Sequence, residues 1–311
     1  AIFISPHKFL GGPGSSGVLV FNKRIYNATL PPTVAAGGTV DYVSPEDQDF
    51  IHDIEEREKA GTPGVLQTIK AALAFMVKDQ LGVEAIEARE TELLVRALSA
   101  WESRPGIEIL GNPDPAKRIA IISFNIRSSS GSYLHPKFVT ALLNDLFGIQ
   151  SRAGCSCAGP YGHRLLNIDL DTSEQYRHWI TKGFTGIKPG WCRVGMHFTM
   201  DDVEADYVID AVSFIAEYGD RFLGCYDFDL HSGQWTHRQP TGIDEALSLD
   251  AALRARGCHQ SALPPEEREP LYRRYLAEAR DWAERLGADT TGGGGRLDGE
   301  LGQLQFFELP R

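Results

Sequence analysis

The sequence predicts an α/β fold, on three observations. Short apolar runs rich in β-branched residues, such as Ile119 to Phe124, alternate with longer stretches whose apolar side chains recur at the helical period. Clusters of glycine and proline punctuate the two kinds of segment. With 311 residues, 42% of them hydrophobic, the chain can fill one large core or two smaller ones.

In order, Ala1 to Ile4 is an apolar run that reads as a buried strand. Ser5 to Gly17 is crowded with glycine and leads into Val18 to Phe21, giving strand, glycine-rich loop, strand. Val65, Ile69, Ala72, Leu73, Met76 and Val77 place a helix within residues 62 to 82, with Pro63 in its first turn. A second helix runs from Glu84 to Trp101. Ile107 to Leu110 and Ile119 to Phe124 read as strands, His135 to Phe147 as an amphipathic helix and Trp191 to Phe198 as a strand. Thr199 and Asp202 have the spacing of a capping box ahead of the stripe Val203, Tyr207, Val208, Val212, Ile215. Beyond Cys225 the pattern weakens to one helix, Pro270 to Leu286, and a flexible tract, Gly292 to Gly295.

Composition narrows the function classes. Lys and Arg total 31 against 42 Asp and Glu, a net charge of −11, and no long basic run is present, which argues against a nucleic-acid ligand. No window of 18 apolar residues and no basic-then-apolar leader points to a membrane or to secretion, so the expectation is cytoplasmic. Five scattered Cys in a chain this long read as reduced thiols. Because the chain opens on Ala1 and directly on a strand, a preceding N-terminal segment or a partner chain is expected to complete it.

Three places could carry chemistry. Ser5, His7 and Lys8 stand at the end of a strand before a glycine loop, where a lysine can be desolvated and act as a nucleophilic amine beside phosphate-binding groups. The local pattern also fits an exposed lysine in a polar turn. Arg193 lies on a strand of mixed polarity, Arg152 precedes the loop with two Cys, and Cys157 lies in that loop with Gly154, Gly159 and Gly162; any reaction role for them comes from a family resemblance alone. A metal held by Cys155, Cys157, His163 and Cys192 is a weaker reading, since a short loop does not define a closed site, and no metal is assigned.

Ser5-Pro6-His7-Lys8 followed by Gly-Gly-Pro-Gly-Ser-Ser-Gly-Val-Leu-Val resembles the lysine segment of the class V aminotransferase group of pyridoxal phosphate enzymes. Gly37-Gly38-Thr39, Gly61-Thr62-Pro63, Ser123-Phe124-Asn125 and His135-Pro136 follow in the family's order. The run Arg152-Ala153-Gly154-Cys155-Ser156-Cys157-Ala158 is similar to that of the cysteine desulfurase and selenocysteine lyase branch, and Cys192-Arg193-Val194-Gly195 to the family's late arginine strand. The resemblance implies fold type I, with residues 1–84 closing a cofactor-binding large domain, 85–225 forming a small α/β domain and 226–311 an appended tail. It also implies pyridoxal 5'-phosphate as cofactor and an amino acid substrate. Lys8 would be the Schiff-base lysine, and Ser5 and His7 would contact the cofactor phosphate. Gly37, Gly38 and Thr39 would reach that phosphate from the other subunit of a homodimer. Arg193, with Arg152, would hold the substrate carboxylate, and Cys157 would take sulfur as a persulfide. Cys155 and Ser156 depart from the two histidines usual in one branch, which leaves aminotransferase-like chemistry open beside desulfuration. The rival is a catalytically silent or truncated interaction protein that keeps the fold.

Overall fold

The structure, a computed structural model, describes residues 1–155, 157–239, 254, 263–287 and 294–310. It divides into two units, Ala1–Ile86 and Glu87–Arg311.

In the first unit, β1 (Ile2–Ile4) pairs antiparallel with β2 (Val18–Val20), and β3 (Val40–Val43) with β4 (Gln48–Phe50). Asp53 caps the short α1 (Ile54–Arg57) by accepting from the Glu55 and Glu56 N–H groups. Gly64, one residue after Pro63, then precedes α2 (Val65–Leu81). The opening strand is not buried as its composition suggests: Phe3 is 82% exposed. A two-stranded ribbon gives each strand one neighbour and leaves its faces to be covered by other elements, so apolar composition alone does not bury it.

The helix α3 (Val83–Glu102) buries Leu93, Leu94, Ala97 and Trp101 in the core of the second unit. That core is built on an antiparallel sheet of four strands, β5 (Ile107–Ile109), β6 (Ile121–Ile126), β7 (Arg152–Gly154) and β8 (Trp191–Gly195), in the order β5-β6-β8-β7. Ile122, Phe124, Ile126, Cys192 and Val194 alternate onto one face and are buried with α3, α4 (Pro136–Phe147) and α7 (Asp202–Tyr218). The opposite face carries the polar partners Glu108, Asn125, Ser123, Arg193 and Arg152. Two helices, α5 (Gly159–Leu165) and α6 (Leu170–Thr181), lie between β7 and β8 in the chain.

Local rules explain the helix ends. His135 caps α4 through Nδ1, Pro136 takes the first position, where a missing N–H costs nothing, and Gly148 ends the helix in the left-handed region at φ 66°. The N-cap of α7 is Asp201, which accepts from Glu204 N–H at 2.9 Å, and not Thr199, which the spacing suggests. The C-terminal helix starts at Pro265 and holds Pro270 inside it, five residues earlier than the sequence suggests. Ala279 and Ala283 of this helix are in the core, and Tyr272 stacks on Tyr207 at 3.9 Å. Residues past Cys225 also form the hairpin β9 (Tyr226–Asp229) and β10 (Gln234–His237). Gly294 N–H donates to Leu309 O, whereas Gly292 and Gly293 lie outside the described residues, as do Ser156 and Cys258. Among the described residues, no helix is long and apolar enough to cross a membrane.

His135 makes this unit acid-sensitive. Its Nδ1 accepts from Lys137 N–H, so its Nε2–H donates to Gly186 O at 3.0 Å, and burial holds the ring's pKa down at about 3. The unfolded ring titrates near 6.5 and binds a proton that the folded ring refuses. Stability is therefore fully present above pH 6.5, falls as the pH drops below it, and levels off near pH 3. At pH 5 the loss from this one group is about 2 kcal/mol. Asn at this position keeps a capping acceptor without titrating. Urea unfolding at pH 7 and pH 5 should therefore show a fall in wild type larger by that amount than in His135→Asn, and parallel falls would remove the assignment.

Candidate active site

The turn that carries Lys8 is fastened on both sides of it. Lys8 N–H donates to Ser5 O, Phe9 N–H to Pro6 O and Gly12 N–H to Phe9 O, at 2.9–3.0 Å. Residue 12 must be glycine, because a Cβ there would stand 1.8 Å from the Pro6 carbonyl oxygen. Phe9 meets Phe75 of α2 edge-on at 5.2 Å. The backbone is thus held while the side chains of His7 and Lys8 remain exposed. Among the described residues, neither the Lys8 amine nor the Ser5 hydroxyl has a hydrogen-bond or ion-pair partner.

A second turn of this unit holds Gly37, Gly38 and Thr39. Gly38 is left-handed at φ 86°, and Gly61 N–H donates to Gly37 O at 2.8 Å, which ties the turn to the Gly-Thr-Pro segment. Thr39 is buried, and its hydroxyl donates to Ala36 O at 2.7 Å. Among the described residues, the N–H groups of Gly37 and Gly38 make no backbone hydrogen bond, and a Cβ on Gly37 would meet open space. The turn therefore offers free N–H donors, and the Thr39 hydroxyl is spent on shaping it.

In the second unit, antiparallel register sets Arg152 directly opposite Arg193, on the sheet face away from the core. No carboxylate pairs with either guanidinium among the described residues, so two cationic forks stand side by side without an acidic partner. An Arg152 N–H reaches Cys157 Sγ at 3.6 Å. Cys157 is exposed and left-handed at φ 60°, a conformation that is uncommon for a residue with a Cβ.

Three glycines hold this loop in place. A Cβ on Gly190 would lie 2.7 Å from Gly154 Cα, and one on Gly162 would lie 3.2 Å from the Trp191 ring. Ala158 N–H also donates to Cys155 O at 3.0 Å. The packing of Trp191 on Gly162 was not legible as part of the site; the only hint was a large aromatic one residue after Pro189-Gly190. The four-ligand metal arrangement does not assemble: Cys192 is buried, where burial pushes its thiol pKa up, and the thiol donates to Pro136 O. Both nitrogens of His163 are engaged, by Gly159 O and Ser173 Oγ.

The model of the family described as Aminotransferase class-V matches residues 1–208, and the chain belongs to that family. A probable cysteine desulfurase of Staphylococcus aureus (strain Mu50) is 35% identical over 178 residues, covering 57% of this chain and 40% of the relative. A probable cysteine desulfurase of Staphylococcus epidermidis is 35% identical over 156 residues, covering 50% and 35%. Among solved structures, the apo cysteine desulfurase of Thermococcus onnurineus NA1 matches with a TM-score of 0.48 and 23% identity, over 60% of this chain and 39% of that one. The chain spans two-fifths or less of the length of these curated relatives.

Proposed function

We propose that the chain supplies the lysine, the carboxylate-binding arginines and the sulfur-accepting cysteine of a pyridoxal phosphate-dependent cysteine desulfurase. The observation that carries this reading is the meeting of Cys157, Arg152 and Arg193 at one edge of the sheet, with an Arg152 N–H directed at the cysteine sulfur. The 35% identity to probable cysteine desulfurases supports it.

The residues present fit the cofactor. An unpartnered amine at Lys8 beside the Ser5 hydroxyl and the His7 ring suits a carbonyl and a phosphate, and the open N–H groups of Gly37 and Gly38 suit an anion. When bound, pyridoxal phosphate supplies an electron-withdrawing ring conjugated to the substrate nitrogen. Lys8 would hold the cofactor through its Nζ and would carry the α-proton of the substrate. Arg193 orients the substrate through its carboxylate. The Cys157 thiolate attacks the sulfur of the substrate cysteine; an S–S bond forms, the Cβ–S bond breaks with its electron pair left on carbon, and a proton taken up there completes alanine. Cys157 is left as a persulfide for an acceptor thiol.

In this reading residues 1–84 close the cofactor domain, 85–225 form the small domain and 226–311 add to it. The Gly37–Thr39 turn serves the other subunit of a homodimer, as two-fold closure favours. The free thiols among the described residues suit a reducing cytoplasm.

The direct test is sulfide release from cysteine by the full-length protein together with alanine formation. Mercaptopyruvate formed with a keto acid as amino acceptor, without sulfide, would favour the aminotransferase-like alternative, and no product the silent one. Arg193→Lys should weaken cysteine binding by about 1.5 to 3 kcal/mol, roughly ten- to a hundredfold, with cofactor content unchanged, because an ammonium cannot form two parallel bonds to a carboxylate. Titration of the visible spectrum with cysteine checks this, and normal affinity in the variant would return Arg193 to a structural role.

A further inference from the structure

On the polar face of the sheet in the second unit, lined by Glu108, Asn125 and Arg127 and not by Arg193, lies a cavity of about 240 Å³. Its floor is Asn125, opposite Glu108 in the β5–β6 register. Asn125 is only 6% exposed, yet its side-chain amide has no hydrogen-bond partner among the described residues. The amide lines the cavity, where an occupant can pair with it. Beside it, one oxygen of Glu108 accepts from both Arg127 and the Tyr133 hydroxyl, while no hydrogen bond reaches the other.

The opposite wall is apolar and comes partly from the end of the chain. Phe306 closes the cavity together with Leu165, Ile168 and Pro189. Its position is fixed from both sides: Tyr176 donates to Leu304 O at 3.0 Å, Tyr133 N–H to Phe306 O at 3.3 Å and Glu308 N–H to Tyr133 O at 2.9 Å. The space is therefore built and not merely left between loops. It lies below the roughly 300 to 1,000 Å³ of pockets for drug-sized ligands, which restricts the occupant to a compact molecule.

We propose that this cavity binds a free α-amino acid with an apolar side chain, at a site separate from the reacting centre. The free Glu108 oxygen takes the ammonium group, the Asn125 amide and the remaining Arg127 N–H groups take the carboxylate, and Phe306 with its neighbours takes the side chain. The fit is to a zwitterion: an acceptor and a donor pair stand side by side on one strand pair, and the apolar wall faces them.

L-leucine is the probe, followed by calorimetric titration of the full chain. The expected result is one saturable site, at least tenfold weaker for 4-methylpentanoate, which lacks the ammonium, and for isopentylamine, which lacks the carboxylate. Binding should weaken at least tenfold in Glu108→Gln and in Asn125→Leu. It should persist in Lys8→Ala and Arg193→Lys, which separates this site from the proposed catalytic one. Glu108→Gln is nearly isosteric and half-exposed, so it stands if Asn125→Leu fails to fold. Absence of saturable leucine binding by the wild type overturns the proposal. So does binding that survives Glu108→Gln but is lost in Arg193→Lys, since that places the leucine at the reacting centre.

Discussion

Lys8→Ala is expected to abolish covalent retention of pyridoxal phosphate by the full-length protein, and Lys8→Arg to fail as completely. The backbone of Lys8 is fastened on both sides while its amine stays without a partner among the described residues. A guanidinium at the same place has the charge but remains protonated, and it cannot condense with a carbonyl. Neither substitution disturbs the bonds that hold the turn, which are all main-chain, so the fold should persist with a circular dichroism spectrum like that of the wild type. The measurement is borohydride reduction followed by mass analysis of the peptide that contains residue 8. A reduced adduct on wild type and none on either variant is the expected outcome; an adduct retained in Lys8→Ala would place the attachment on another lysine.

Cys157→Ala should lower sulfide release by about a thousandfold or more, the scale seen when a nucleophile is removed, while cysteine still shifts the cofactor spectrum. The thiol acts after the substrate is bound, so its loss leaves binding in place. Alanine also keeps the Cβ of a residue at φ 60°, so the loop remains under the same backbone constraint and the effect isolates the sulfur. Cys155→Ala should cost far less, since Arg152 reaches Cys157 and makes no such bond to Cys155. A mass increase of one sulfur atom on the Cys157 peptide of wild type, absent from the variant, completes the test. Full sulfide release by Cys157→Ala would sink the desulfurase reading and leave the cofactor assignment standing.

Much of this molecule is legible in its sequence. The α4 helix was announced by Pro136 and Gly148 at its ends and by an apolar stripe between them, all local signals that depend on no distant residue. The α/β class, the positions of α2 and α3, and the candidates Lys8, Cys157 and Arg193 came from the same short-range information and from the order of motifs. Other features depend on residues far apart in the chain. That Ile2 and Phe3 are exposed is a matter of what packs on a strand, which composition does not state. That Asp201 caps α7 and Thr199 does not depends on where the chain turns after β8. Arg152 and Arg193 are 41 positions apart, and only the β7–β8 register makes them neighbours. The tertiary structure alone set the left-handed Cys157 beside Arg152, and it alone brought Phe306 over Asn125. The physical reason is the same in each case: helix periodicity and capping are decided within a few residues, whereas a cavity, a pair of like charges and an exposed strand are properties of surfaces that meet only when the chain has folded.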